Sequence, residues 1–181
     1  LLKGIKVGAI KNVYSDSFFT SKLSKEGLNE RLVNIRFSGD YQDTFRIEPQ
    51  DIEGYMIKGM WYFDKRLSEL KYRLLALAPM GKDVQTLGLT DIKEDEIYEL
   101  FWIFYPSARK ILHDAKVFNP KNASQPISFD HLLNIRRFGS VILREENVYG
   151  NRKISDYIRG NSLFQLLEAD RIKESIRDKE I

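Results

Sequence analysis

At 181 residues with 43% hydrophobic side chains, the chain can bury a full core and is not a disordered polymer. Its net charge of +3 is the difference between 29 basic and 26 acidic groups interleaved along the sequence, which excludes a dedicated field for nucleic acid or anionic lipid. The absence of cysteine excludes disulfides, thiol catalysis and thiolate-bound metals, and no apolar run approaches the roughly 20 residues of a bilayer-spanning helix.

Leu1, Leu2 and Ile5 read as the end of a helix closed by Gly8, with a short strand-like run, Ile10-Lys11-Asn12-Val13-Tyr14, after it. Leu1 is not a translational start, so the chain is expected to be a fragment of a longer precursor, forming a single domain over 1–181. Ser24 is placed as an N-cap with Leu23 and Leu28 in staple positions. Leu28, Leu32 and Ile35 then repeat on one face, which predicts a helix over 25–35. The irregular segment 37–50, with Gly39 and Pro49, reads as a loop.

Residues 55–79 carry the strongest pattern. Two runs rich in aromatic and aliphatic residues flank the polar break Asp64-Lys65-Arg66, which predicts a β-hairpin with a short loop. Alternation puts Tyr55, Ile57, Trp61 and Phe63 on one face, and in the second run Leu70, Tyr72, Leu74, Ala76 and Ala78 share a face. The opposite faces are polar only near the loop, so the base of the hairpin should be covered on both sides. Leu100-Phe101-Trp102-Ile103-Phe104-Tyr105 is apolar on both faces and reads as the central or most buried strand of the same sheet. Between them, 80–99 is polar and acidic and suits a long exposed connection.

Ala108, Ile111, Leu112, Ala115 and Phe118 recur at helical spacing and predict an amphipathic helix ended by Asn119-Pro120. Ser128 caps a further helix with Phe129, Leu132 and Leu133 as its stripe, and continuing that stripe lands Arg136 and Arg137 on the buried side of its last turn. Such a pair needs internal carboxylates or another chain to meet it. Ser140-Val141-Ile142-Leu143 reads as a fourth strand. The spacing from Leu1-Leu2 to Gly8-Ala9-Ile10 returns from Leu132-Leu133 to Gly139-Ser140-Val141, which leaves open a reused helix-to-strand unit or chance. Residues 152–181 form a helical C-terminal extension: Ile154, Tyr157 and Ile158, a stop at Gly160, then a helix from Leu163 that becomes charged after Glu168, with Asp170/Lys173, Arg171/Glu174 and Glu174/Arg177 as i, i+3 pairs. The expected fold class is α+β: an antiparallel, aromatic-rich sheet of three to four strands packed by amphipathic helices.

A site for chemistry is hard to assemble from these residues. His113 and His131 each adjoin an aspartate, but neighbours on a helix diverge by roughly 100°, so neither pair converges on a metal or nucleophile. Gly81-Lys82 lacks the earlier glycine of a phosphate loop, and the acidic run from Asp91 to Glu96 lacks the central glycine of a calcium loop. Lys58-Gly59-Met60-Trp61-Tyr62-Phe63 superficially matches an RNA-binding strand, but Trp61 stands where a small residue belongs and no basic stripe accompanies it. No catalytic residue, cofactor or metal ligand is expected.

Several segments carry a likeness instead. Ile57-Lys58-Gly59-Met60-Trp61-Tyr62-Phe63-Asp64-Lys65, Leu77-Ala78-Pro79-Met80, Leu100-Phe101-Trp102 with Tyr105-Pro106, Phe118-Asn119-Pro120-Lys121-Asn122, Ser128-Phe129-Asp130 and Leu166-Leu167-Glu168 with Ile172-Lys173-Glu174 together resemble the gliding-motility family GldN, also called PorN. The resemblance spans nearly the whole chain in order. It implies a non-catalytic periplasmic component of the Bacteroidota type IX secretion system, forming a ring with the outer-membrane lipoprotein GldK (PorK) and engaged by the GldL/GldM (PorM) motor. Its signal peptide and aromatic tail have no counterpart in this sequence. A ring subunit must bury large patches, and the candidates for contact with GldK or with neighbouring copies are Trp61, Tyr62, Trp102, Tyr105, Arg136 and Arg137. The alternatives are a soluble enzyme with an unrecognised site, which requires a deep pocket with convergent polar groups, and a single-stranded nucleic-acid-binding module.

Overall fold

The computed structural model describes residues 1–38, 41–88, 97–119, 124–146 and 150–179. In chain order the elements are helix α1 (Leu2–Lys6), strand β1 (Val13–Tyr14), α2 (Lys25–Leu32), β2 (Val33–Ser38), β3 (Tyr41–Arg46), β4 (Ile52–Asp64), β5 (Glu69–Lys82), β6 (Ile97–Glu99), β7 (Trp102–Phe104), α3 (Tyr105–Asp114), β8 (Lys116–Val117), β9 (Ile127–Ser128), α4 (Phe129–Asn134), α5 (Ile154–Tyr157) and α6 (Ser162–Arg177). The fold is α+β with antiparallel sheets, as expected. Contacts divide it into two compact units: Leu1–Met60 with Arg73–Ile135, and Trp61–Tyr72 with Arg136–Ile181.

The main sheet runs β1-β7-β5-β4, with β6 also paired to β5, giving five strands rather than three or four. The predicted hairpin is present as β4 and β5, and its loop is closed by Asp64. That residue's carbonyl accepts from the Leu67 amide at 3.2 Å, and its carboxylate accepts from the Arg66 amide at 3.1 Å and from Lys71 Nζ at 3.2 Å. The base of β5 is buried on both faces from Ala76 to Pro79. β7 lies between β1 and β5, pairing Ile103 with Val13 and with Leu77, so Phe101, Trp102 and Ile103 are almost wholly enclosed. Trp102 centres a cluster with Ala76 and Ala78, and Tyr14, Phe19 and Met56 pack around it. Small alanines opposite a large indole are what lets the ring enter the sheet's core.

Several expectations need correction. The helix predicted over 25–35 stops at Leu32, because Val33, Ile35 and Phe37 alternate as a strand and the β-branched pair favours that choice over helix. The 37–50 loop is mostly the rest of this hairpin, with β3 paired residue for residue to β2, followed by a single 3-10 turn at Pro49–Asp51. The connection 80–99 is shortened from both ends, since β5 continues to Lys82 and pairs there with β6; its acidic run, 91–96, lies outside the described residues. Gly81 is required where β5 passes this turn, because a Cβ there would lie 2.6 Å from the Asp51 carbonyl oxygen.

α3 begins at Tyr105, three residues before the predicted start, because Pro106 in the first turn lacks only an amide that a helix start leaves free anyway. It also ends earlier, at Asp114, so Lys116–Val117 can pair with Ile127–Ser128, and Phe118 is left exposed; Pro120, its expected stop, lies outside the described residues. Ser128 does cap α4, accepting from the His131 amide at 3.1 Å. Residues 140–143 form no strand, and among the described residues an isolated bridge, Arg144 with Lys153, follows them. The fourth strand of the sheet is β1 instead. The helix-to-strand echo therefore has a helix but no strand in either copy, since β1 begins only at Val13, beyond Ile10.

In the second unit, Ile154, Ala169 and Ile172 form a small core with Ile142, Ile158 and Ile176 around it. Gly160, with φ 73°, separates α5 from α6. Among the described residues, no helix is long and apolar enough to cross a membrane.

Candidate interaction surface

At the hairpin tip, the Trp61 and Tyr72 rings meet with centroids 5.1 Å apart. The Arg136 guanidinium lies 4.6 Å from the Trp61 centroid and 5.7 Å from that of Tyr72. Burial pushes the Tyr72 hydroxyl up from its usual range, and the Arg136 charge opposes that shift. Arg136 itself is not in a helix turn but beyond α4 with φ 54°, a left-handed conformation costing about 1–2 kcal/mol for a side-chain-bearing residue. The ring contacts help hold it there. The expected burial of Arg136 and Arg137 on α4 is thus corrected: α4 ends at Asn134, both arginines are exposed, and Arg136 lies against the Trp61 and Tyr72 rings. Tyr62 is half-buried on β4, and its neighbours Phe63 and Leu67 are exposed. Lys71, then the Arg66 amide, hold the Asp64 carboxyl below its usual range.

Trp102 and Tyr105 are placed differently. Both are buried in the first unit and neither reaches its surface. The Trp102 Nε1 donates to Glu99 at 2.7 Å. The Tyr105 hydroxyl donates to Asp130 Oδ1 at 2.5 Å and accepts from Asn134 Nδ2 at 2.6 Å, while Arg109 grips the same carboxylate through Nε at 3.0 Å and Nη2 at 3.2 Å. Burial and then Asp130 push the Tyr105 phenol up to about 12, and Arg109 foremost holds Asp130 below its usual range. This network ties α4 to α3. Of the predicted contact residues, the structure brings together Trp61 and Arg136, half-buries Tyr62, leaves Arg137 exposed, and assigns Trp102 and Tyr105 to the interior.

Sequence reasoning passed over the more exposed apolar surface, on α6. Asn161 caps this helix, accepting from the Leu163 amide at 3.1 Å and the Phe164 amide at 3.2 Å. Ala169 and Ile172 supply its buried face. In its first turns Leu163, Phe164, Leu166 and Leu167 are all about half exposed or more, from 47% to 62%. An open groove of ≈ 560 Å³ runs beside them, lined by Tyr157, Ile158, Arg159, Phe164, Leu167, Glu168 and Arg171. Arg171 forks onto Glu168 at 2.8 and 2.6 Å, which lowers the pKa of the carboxyl. Of the expected i, i+3 pairs, Lys173 meets Asp170 at 3.6 Å and Arg177 meets Glu174 at 3.8 Å, whereas Arg171 turns to Glu168. The signal was available in the sequence, since four large apolar side chains within five residues exceed what one buried helix stripe can absorb.

His113 and His131 join no cluster of metal-ligating side chains among the described residues. What the exposed aromatic and aliphatic groups can do is bury against another protein, with the arginines supplying planar, stackable charge. Compared with known families, residues 1–181 match the model described as gliding motility associated protein GldN. No curated protein matches the chain.

Proposed function

The chain belongs to the GldN family of gliding motility associated proteins and is thereby a component of gliding motility and type IX secretion; from that premise we propose that it is a non-catalytic structural subunit of a periplasmic ring. In this reading it assembles with further copies of itself and with the outer-membrane lipoprotein GldK (PorK), which also holds it at the outer membrane. The ring is engaged by the periplasmic part of the GldL/GldM (PorM) motor. The observation that carries the reading is the run of exposed large apolar side chains on α6, whose cap, buried stripe and ion pairs are already satisfied within the chain. Apolar surface left in water on an otherwise complete helix favours a protein contact over a reaction pocket. We assign contact roles to α6 and to Trp61, Tyr62, Arg136 and Arg137. Trp102 and Tyr105 act as core.

Affinity purification of the chain from cells, followed by mass measurement of the native complex, tests the proposal. It should recover the lipoprotein together with several copies of the chain. Recovery of the chain alone, with secretion intact in its absence, would overturn it.

A further inference from the structure

We propose that β2 pairs with the β2 of a second copy of this chain, antiparallel about a two-fold axis through Ile35, merging two hairpins into one four-stranded sheet. β2 and β3 form a two-stranded sheet of their own, a unit that is marginal in water unless more strands or a helix support it. The register opposes Val33 to Arg46, Ile35 to Thr44 and Phe37 to Gln42, so these residues share one face. Asn34, Arg36, Asp43 and Phe45 share the other. That second face is anchored: the Arg36 guanidinium lies 4.6 Å from the Phe45 ring centroid and donates to the Gln85 carbonyl. Gly88, with φ 78°, sits so close to Phe45 that a Cβ would meet its ring at 2.5 Å. Among the described residues the first face has no comparable cover, and Ile35 and Phe37 are 48% and 75% exposed. Among the described residues, β3 is the sole strand paired to β2; on its other edge the Val33 amide is bonded to the Asn29 carbonyl at the end of α2, and beyond it the edge is open to pairing by another chain.

Register arithmetic selects the occupant. A two-fold perpendicular to the sheet keeps each face on its own side, so paired residues must be an even number of positions apart. Centred on Ile35, the axis pairs Ile35 with itself, Val33 with Phe37 of the second copy, and Asn34 with Arg36 of the second copy. Every apolar residue of β2 then meets an apolar partner, including two aromatic–β-branched pairs, and each Arg36 faces an asparagine. Centring on Arg36 would oppose the two guanidinium groups. The β3 edge fares worse: centring on Asp43 opposes two carboxylates, and centring on Thr44 sets Asp43 against Phe45. Six residues a side fall well short of the roughly 1,200–2,000 Å² buried by stable interfaces, so the pairing is weak alone and forms where copies are concentrated. A two-fold contact closes on itself. It pairs copies without building a ring, and it stands or falls independently of the ring reading.

The chain's lack of cysteine makes capture by engineered thiols clean. In the 181-residue chain, Ile35→Cys oxidised at high protein concentration should give a reducible covalent homodimer. Phe37→Cys alone should not, since its two copies would lie roughly 13 Å apart along the strands. Mixing Val33→Cys with Phe37→Cys chains should restore capture, as a heterodimer. Unchanged circular dichroism shows that each variant folds. Ile35→Cys cross-linking no faster than Phe37→Cys, or failure of the mixed pair, would overturn the proposal.

Discussion

The two units use the same residue types to opposite ends. In the first, Trp102 and Tyr105 sit on and beside an interior strand, with alanines opposite the indole and a carboxylate waiting for the phenol. In the second, Trp61 and Tyr72 sit near the free end of the hairpin and are covered by a single arginine. Position in the sheet decides the outcome, not the aromatic character. A tryptophan between two paired strands becomes core, and one at a hairpin tip keeps an edge available for another chain.

The largest expected effect lies in the first unit. Trp102→Ala should destabilise the fold by about 3–5 kcal/mol in denaturant unfolding, because the indole sits against the small Ala76 and Ala78 and its loss leaves a large cavity in the sheet's core. Tyr105→Phe comes next, at about 1–2 kcal/mol, since Asp130 keeps Arg109 and Asn134 keeps the Asp130 carbonyl at 2.7 Å. The pH dependence follows the same network. The folded pKa of Asp130 is depressed, so its stabilisation is present above the unfolded value and is lost as pH falls through the folded one. The Tyr105 pKa is raised from 10.0 to about 12, so its contribution is complete below 10 and fades as pH rises toward 12. Asp130→Asn should therefore flatten the acid limb of a stability–pH curve, and Tyr105→Phe the alkaline limb.

In the second unit the effects shrink. Arg136→Ala should cost about 0.5–2 kcal/mol from the lost ring contact, since arginine and alanine are strained alike at this positive φ. Arg136→Gly should lie closer to the wild type, because glycine tolerates that backbone. Equal values for the two would show that the left-handed residue carries no strain. We further propose that the units unfold together as the single domain expected over 1–181, since both strands of the β4–β5 hairpin run through each. Calorimetric and van't Hoff enthalpies should then agree, and two separated transitions would refute it.

Much of this arrangement was legible in the sequence, and the failures have physical causes. The β4–β5 hairpin, the enclosed run Phe101-Trp102-Ile103 and the caps at Ser24 and Ser128 depend on local alternation and on single side-chain bonds, which sequence displays directly. Residues 33–37 satisfy a helical spacing through Leu32 and Ile35 and a strand spacing through Val33, Ile35 and Phe37, and pairing with β3 settles the conflict. Residues 140–143 alternate well but found no ladder, because strand formation needs a partner that composition does not show. Arg136 was read by extending a helix that ends two residues earlier. The α6 surface is partly hidden in the sequence, because Leu163, Phe164, Leu166 and Leu167 read as core until Ala169 and Ile172 are seen to take the buried face.

The most direct measurement replaces Leu163, Phe164 and Leu167 together by serine and asks whether the chain still co-purifies with the lipoprotein. These side chains are about half exposed or more, so the thermal unfolding midpoint should stay within a few degrees of the wild type. Recovery of the lipoprotein should fall at least tenfold. Full recovery by a normally folded variant would show that the exposed face of α6 is not where this protein meets its partners.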